Sequence, residues 1–159
     1  MGVTPYIMHH KRPLVIFLAD DDADDRAMFE EVVTEIDSSI QLTCAEDGMM
    51  LLQLLNSKTI PLPHLIFLDL NMPNKNGKEC LDEIRRSERL KDIPIIIYST
   101  SSSPKDINDT FEKGANLYVR KPSSFKELRS ITKDVLALDW EQYKPFNAKS
   151  IFVFSYKTS

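Results

Sequence analysis

Leu65-Ile66-Phe67-Leu68-Asp69-Leu70-Asn71-Met72-Pro73 begins as an unbroken apolar run and then meets a carboxylate and a turn. An apolar run without polar alternation reads as a strand buried on both faces, the pattern of a parallel sheet. A lone charge at the end of such a strand is costly unless something pairs with it or uses it. At this point Asp69 has two readings. It is either a strand-terminal acid that caps the next turn or a reacting group, here a phosphoryl acceptor.

Upstream, Leu14 to Ala19 is a second apolar run, and it stops abruptly at Asp20-Asp21-Asp22, with Asp24 and Asp25 close behind. Met28, Val32 and Ile36 then recur at helical spacing with Phe29 and Val33 beside them, which predicts an amphipathic helix with Asp22 as its N-cap. Ile40 to Ala45 is a weaker strand candidate, Gly48 to Leu55 a short helix, and Thr59 to Pro63 a connection. Downstream, Met72 to Gly77 is a loop rich in turn residues (Pro73, Asn74, Asn76, Gly77). A helix follows from Lys78 to about Glu88, with Cys80, Leu81 and Ile84 inward. Ile93 to Tyr98 is another buried strand, leading into the hydroxyl run Ser99-Thr100-Ser101-Ser102-Ser103. Pro104 opens a helix that ends near Gly114, Leu117 to Val119 is a short strand closed by Arg120-Lys121-Pro122, and a last helix runs from about Ser124 to Leu138. Strand and helix thus alternate five times along the chain. This implies an α/β fold, a five-stranded parallel sheet with helices on both faces and right-handed crossovers.

Composition narrows the function. The 159 residues suit one domain with short extensions, and the net charge of −4 offers no basic footprint for nucleic acid. Cys44 and Cys80 are far apart and read as small apolar residues of a reducing compartment, so a cytoplasmic protein is expected. No apolar run approaches the ~18 residues that span a bilayer. With four glycines, the chain holds neither a dinucleotide-binding nor a Walker phosphate loop.

In open parallel sheets chemistry gathers beyond the carboxyl ends of the strands. The residues just past those ends are Asp20 and Asp21, Asp69, Ser99 and Lys121. Each has an ordinary reading as a cap, a turn residue or an exposed lysine, but four of the five strand ends carry groups suited to one phosphoryl-transfer site. Carboxylates brought together repel one another, and a hard divalent cation such as Mg²⁺ removes that conflict. An ionised Asp69 can then attack phosphorus to form an acyl phosphate, with the Lys121 ammonium and the Ser99 hydroxyl on the phosphoryl oxygens.

This set resembles the receiver domain of two-component response regulators, the CheY-like superfamily with its flavodoxin-like (βα)₅ doubly wound fold. The likeness spans about Pro13 to Leu138. It rests on Asp20-Asp21, the block Leu68 to Pro73, Asn76-Gly77, Ser99, Tyr118 and Lys121-Pro122. The intervals agree too: thirty residues from Asp69 to Ser99 and fifty-two to Lys121.

The resemblance implies that Asp69 is the phosphoacceptor, fed by a sensor histidine kinase or a phosphotransfer protein. It implies that Asp21 binds Mg²⁺ directly, Asp20 mainly through water, and Asn71 through its backbone carbonyl, with Asp69 also a ligand. Ser99 and Tyr118 stand at the positions of the hydroxyl and aromatic switch residues. The hydroxyl run with Pro104 resembles stand-alone receivers that partner phytochrome-type sensor kinases. Asp22 extends the acidic pair and leaves the metal-binding acids open to a one-residue slip. His64 reads as a surface residue, and His9 and His10 as part of an extension over residues 1–12.

Residues 139–159 are too short for a separate DNA-binding output domain, so signalling by a binding event and no direct DNA contact are expected. The run Ile151 to Tyr156 is apolar enough to want burial. It either folds back on its own domain or is disordered; alternatively it, or Trp140 with Tyr143, contributes to a homodimer or partner surface. Two rivals stand against the switch. A degenerate receiver would lack part of the acid, hydroxyl and lysine set. An Asp-nucleophile hydrolase of the haloacid-dehalogenase kind would carry a second Asp where Asn71 stands. A receiver's self-phosphorylation and self-dephosphorylation are not turnover of a free substrate, so no enzyme is expected.

Overall fold

The computed structural model describes residues 13–140 and 152–154 of the chain. Its elements are β1 (Val15–Ala19), α1 (Ala23–Ile36), β2 (Gln41–Ala45), α2 (Gly48–Leu55), β3 (Leu65–Leu68), α3 (Gly77–Arg86), β4 (Ile95–Ser99), α4 (Pro104–Glu112), β5 (Leu117–Arg120), α5 (Phe125–Ala137) and β6 (Val153–Phe154). The strands form one sheet in the order β2-β1-β3-β4-β5-β6, every neighbouring pair parallel. The expected α/β fold and its five strands are present, and the short β6 is added at the outer edge of β5.

Both faces of the sheet are covered, which is why its strands show no polar alternation. Phe17, Ile66, Leu68, Ile97 and Tyr118 face a layer holding α2, α3 and α4. Ile16, Leu18, Leu65, Phe67, Ile96, Tyr98 and Val119 face the layer of α1 and α5. Trp140 belongs to this second layer. It is buried, and its indole N–H donates to the Val135 carbonyl at 3.1 Å, so its ring packs inside its own domain. The packed unit therefore runs past Leu138. The extension at residues 1–12 with His9 and His10, and Tyr143 and Tyr156 of the tail, lie outside the described residues.

Local signals account for the helix starts. Asp22 caps α1 by accepting from the Asp24 and Asp25 amides, Asp47 caps α2, and Ser124 caps α5. Asn76 and Glu79 form a reciprocal capping box on α3. The hydroxyl run is capping machinery for α4: Ser103 accepts from the Asp106 amide, Pro104 takes the first turn, and Ser101 Oγ donates to Asp106 Oδ2 at 2.6 Å.

The amino-terminal edge of the sheet is fastened shut. Arg85 donates to the carbonyls of Gly114 and Ile93 and to Asn116 Oδ1, and that oxygen also accepts from the Ile95 amide. Burial pulls the Arg85 guanidinium down to about 10. His64 departs from the surface reading: it is half-buried, and its Nδ1 accepts from the Val15 amide at 2.9 Å. With this edge tied, openings for chemistry fall at the opposite, carboxyl edge.

Candidate functional site

The chain leaves β1 for β2 on one side and returns to β3 on the other, so connections diverge between β1 and β3. A crevice is expected at such a switch point. Register places Ala19 beside Leu68, and the Asp69 amide donates to the Ala19 carbonyl at 2.9 Å. Asp20 and Asp69 thereby leave neighbouring strands side by side. Carboxylate oxygens of Asp20, Asp21 and Asp69 lie within 4.8 Å of one another, with Asp20 and Asp69 buried and Asp21 exposed.

Lys121 reaches the same point from β5, held there by donation of its amide to the Ser99 carbonyl at 2.8 Å. Its ammonium donates to Asp69 Oδ2 at 3.3 Å and to Asp25 Oδ2 at 2.8 Å. Asp20 Oδ2 is also 2.8 Å away, at an angle that pairs the charges without making a hydrogen bond. The ammonium stands over the Tyr98 ring, 5.3 Å from its centroid, and that ring is braced by Phe29 and Phe67. Thus the lysine is aimed by aromatic and acidic partners rather than left exposed.

Electrostatics follow from burial. Desolvation pushes the Asp69 carboxyl up to about 6, against the pull of Lys121, and Asp20 adds to the rise. Burial also raises Asp20, with Lys121 acting against it. For Lys121, burial works downward, but its close pairing with Asp20 and Asp25 and the charges of Asp69 and Asp20 outweigh it and raise the ammonium. One lysine among several acids leaves negative charge uncompensated, and the buried Asp20 Oδ2 has no hydrogen-bond donor. Three convergent carboxylates with such an oxygen suit a hard, oxygen-seeking divalent cation.

The neighbouring loop depends on Gly77. Its amide donates to the Leu70 carbonyl at 2.9 Å, and a Cβ there would lie 2.3 Å from the Asp69 carbonyl oxygen. Only glycine lets α3 begin this close to the acid. Asn74, with φ of 66°, turns the loop, and its side-chain amide donates to Asp47 Oδ2 at 2.7 Å. Asn71 is exposed, and its backbone amide hydrogen-bonds the Asp69 carboxylate.

Of the residues singled out in the sequence, Asp20, Asp21, Asp69 and Lys121 converge. Ser99 is buried at the end of β4, with its Oγ accepting from the Ser101 amide at 3.1 Å. Tyr118 lies lower on β5, and its hydroxyl donates to the Ser101 carbonyl at 2.8 Å. Asp22 is drawn into capping α1, so the cluster is Asp20-Asp21 and not Asp21-Asp22. Sequence reading missed Asp25 and Tyr98 as neighbours of Lys121. Asp25 is one of several acids at the start of α1 and Tyr98 one more residue of an apolar strand; nothing local marks either as a lysine partner.

The family model described as response regulator receiver domain matches residues 16–133. The chain is 32% identical over 127 residues to the response regulator Rcp1 of Synechocystis sp., covering 77% of this chain and 86% of that protein. It is similar in structure to the Mn(2+)-bound form of response regulator Rcp1, with a TM-score of 0.73 and 30% identity, over 84% of this chain and 99% of that one. The phosphorylated cyanobacterial phytochrome response regulator RcpA gives a TM-score of 0.75 at 28% identity, over 86% of this chain and 99% of its own.

Proposed function

We propose, from the premise that this chain belongs to the response regulator receiver domain family, that it is a phosphorylation-controlled switch with Asp69 as its phosphoacceptor. One observation carries the reading: a buried acid at the end of a central strand, with Lys121 Nζ at 3.3 Å and the oxygens of Asp20 and Asp21 within 4.8 Å. The donor is a phosphohistidine on a sensor kinase or phosphotransfer protein. A phytochrome-type kinase is the favoured source, because the similar RcpA is a phytochrome response regulator.

Asp20, Asp21 and Asp69 would hold Mg²⁺, joined by the Asn71 carbonyl; when bound, the ion supplies positive charge that keeps the acids ionised and draws in phosphoryl oxygens. The chain's own residues do the rest. An Asp69 carboxylate oxygen attacks phosphorus in line with the P–N bond; that bond breaks, its electron pair stays on the imidazole nitrogen, and an acyl phosphate forms on Asp69. Burial helps, since a carboxylate with few waters to shed is a better nucleophile than an exposed one. Lys121 stays charged and takes up the negative charge of the phosphoryl oxygens, a role its raised proton affinity suits. Ser99 donates to another phosphoryl oxygen, and Tyr118, tied to Ser101, carries the change toward α4 and β5. The output is a protein-binding event. Attack by water on the acyl phosphate resets the switch, so the protein is not a turnover enzyme on a free substrate.

The test is incubation with Mg²⁺ and acetyl phosphate, followed by intact mass. A single phosphoryl adduct, labile at alkaline pH, is expected in the wild type and absent from Asp69→Asn. Equal adducts in both proteins, or none in the wild type with acetyl phosphate and phosphoramidate alike, would refute the assignment.

A further inference from the structure

β6 is not needed for phosphoryl chemistry, yet it lies against the switch. The Tyr118 amide donates to the Phe152 carbonyl at 3.0 Å, and Val153 and Phe154 pair with Tyr118 and Val119. A two-residue edge strand gains little from its backbone bonds. Its anchor is Phe152, which is 1% exposed and packs edge-on against Phe111 at 5.2 Å and Tyr118 at 6.1 Å between centroids.

The position of this ring restricts Tyr118. β5 has β4 on one side and β6 on the other. The Tyr118 hydroxyl bonds Ser101, just past β4, with the Ser99 hydroxyl beside it. The phenol therefore points toward β4. A rotation that breaks the Ser101 bond and carries the ring away from β4 directs it to the β6 side, which Phe152 fills. Interiors packed at crystal density do not admit a second ring in the same space.

We propose that the C-terminal segment Phe152–Phe154 is a latch on the switch: docked Phe152 holds Tyr118, which is 1% exposed, in its inward, Ser101-bonded position, and, with that inward position taken as the one a phosphoryl group on Asp69 favours, tail docking and phosphorylation reinforce each other. The latch rests on the reading of Asp69 as acceptor and of Ser99 and Tyr118 as the switch. Phe152 touches no reacting atom; it is a positioning residue that acts through Tyr118. Linkage makes the effect reciprocal. If a phosphoryl group tightens the tail, the tail strengthens phosphoryl binding by the same factor.

The test uses the full chain with Mg²⁺ and beryllofluoride as the phosphoryl mimic. Calorimetry gives the affinity, and hydrogen exchange by NMR follows the Tyr118 amide. Saturation is expected to slow exchange of that amide about 5-fold, and Phe152→Ala to weaken beryllofluoride binding about 5-fold. In a Tyr118→Ala background, Phe152→Ala is expected to add no further loss. Unchanged affinity in Phe152→Ala, or a Tyr118 amide indifferent to beryllofluoride, overturns the latch. The same loss with and without Tyr118 also overturns it, since that is what a general structural role produces. Trp140 emission, from the opposite face of the sheet, reports whether each variant is folded. If Phe152→Ala does not fold, Phe152→Leu replaces it, with a smaller loss expected and the same refuting outcomes. Failure of the wild type to bind beryllofluoride at all is distinguishable from these results and removes the acceptor reading and the latch together.

Discussion

Asp69→Asn is expected to make the metal-free protein more stable at neutral pH. The Asp69 carboxyl lies at about 6 in the fold against 3.8 in the ordinary carboxylate, because burial outweighs the attraction of Lys121. Between those values the folded protein keeps a proton that the unfolded chain has released, so stability falls as pH rises through the window. Above it, the ionised acid costs the fold about 3 kcal/mol, at ~1.4 kcal/mol per tenfold in proton affinity. Asparagine has nearly the same shape and no charge. After local adjustment around Lys121, a gain of roughly 1–3 kcal/mol should remain at pH 7.5 and vanish near pH 4. Urea unfolding in EDTA at the two pH values measures it, the midpoint moving while the slope stays constant. Saturating Mg²⁺ should narrow the gap by stabilising the wild type more than the variant. Equal stabilities at pH 7.5, or a gain of the same size at both pH values, would refute this account of the buried acid.

Lys121→Met leaves Asp20, Asp25 and Asp69 without their shared cation and should destabilise the fold by about 3 kcal/mol at pH 7.5. The loss should shrink at pH 5, below the Asp69 value of about 6, where protonation of Asp69 removes part of the uncompensated charge; parallel urea curves test this. Gly77→Ala places a methyl 2.3 Å from the Asp69 carbonyl oxygen and 2.8 Å from the Leu70 Cα. It should cost roughly 1–3 kcal/mol and weaken beryllofluoride binding as the loop beneath Asp69 shifts, measurable by melting and calorimetry. Asn76→Ala breaks the capping box on α3 and should cost about 1 kcal/mol in a thermal melt, leaving the Asp69 adduct intact.

Most element positions were legible because their signals are local. Leu65–Leu68 and Ile95–Ile97 are continuous apolar runs because both sheet faces are covered, and Gly48–Leu55 matches its helix end to end. Boundaries differed by a residue or two where pairing extends a strand: β4 runs on through Ser99 and β5 through Arg120, since their backbones pair with each other there. Asp20, Asp21, Asp69 and Lys121 were found as strand-end residues, and parallel strands place their ends along one edge. The latch partners were not legible as such. Phe152 was visible only as part of a run seeking burial.

Periodicity and capping act between near neighbours, so the alternation of strands and helices, the parallel sheet and the carboxyl edge as the place for chemistry are written locally along the chain. Which distant side chains meet depends on the packed fold. Asp25 and Lys121, 96 residues apart, form an ion pair at 2.8 Å because the start of α1 and the end of β5 meet at the carboxyl edge of the sheet. Phe152 meets Tyr118 because β6 pairs with the outer edge of β5 and the Phe152 ring packs between Tyr118 and Phe111. No local pattern encodes such a meeting; it follows from strand order, which is settled only when the whole chain packs.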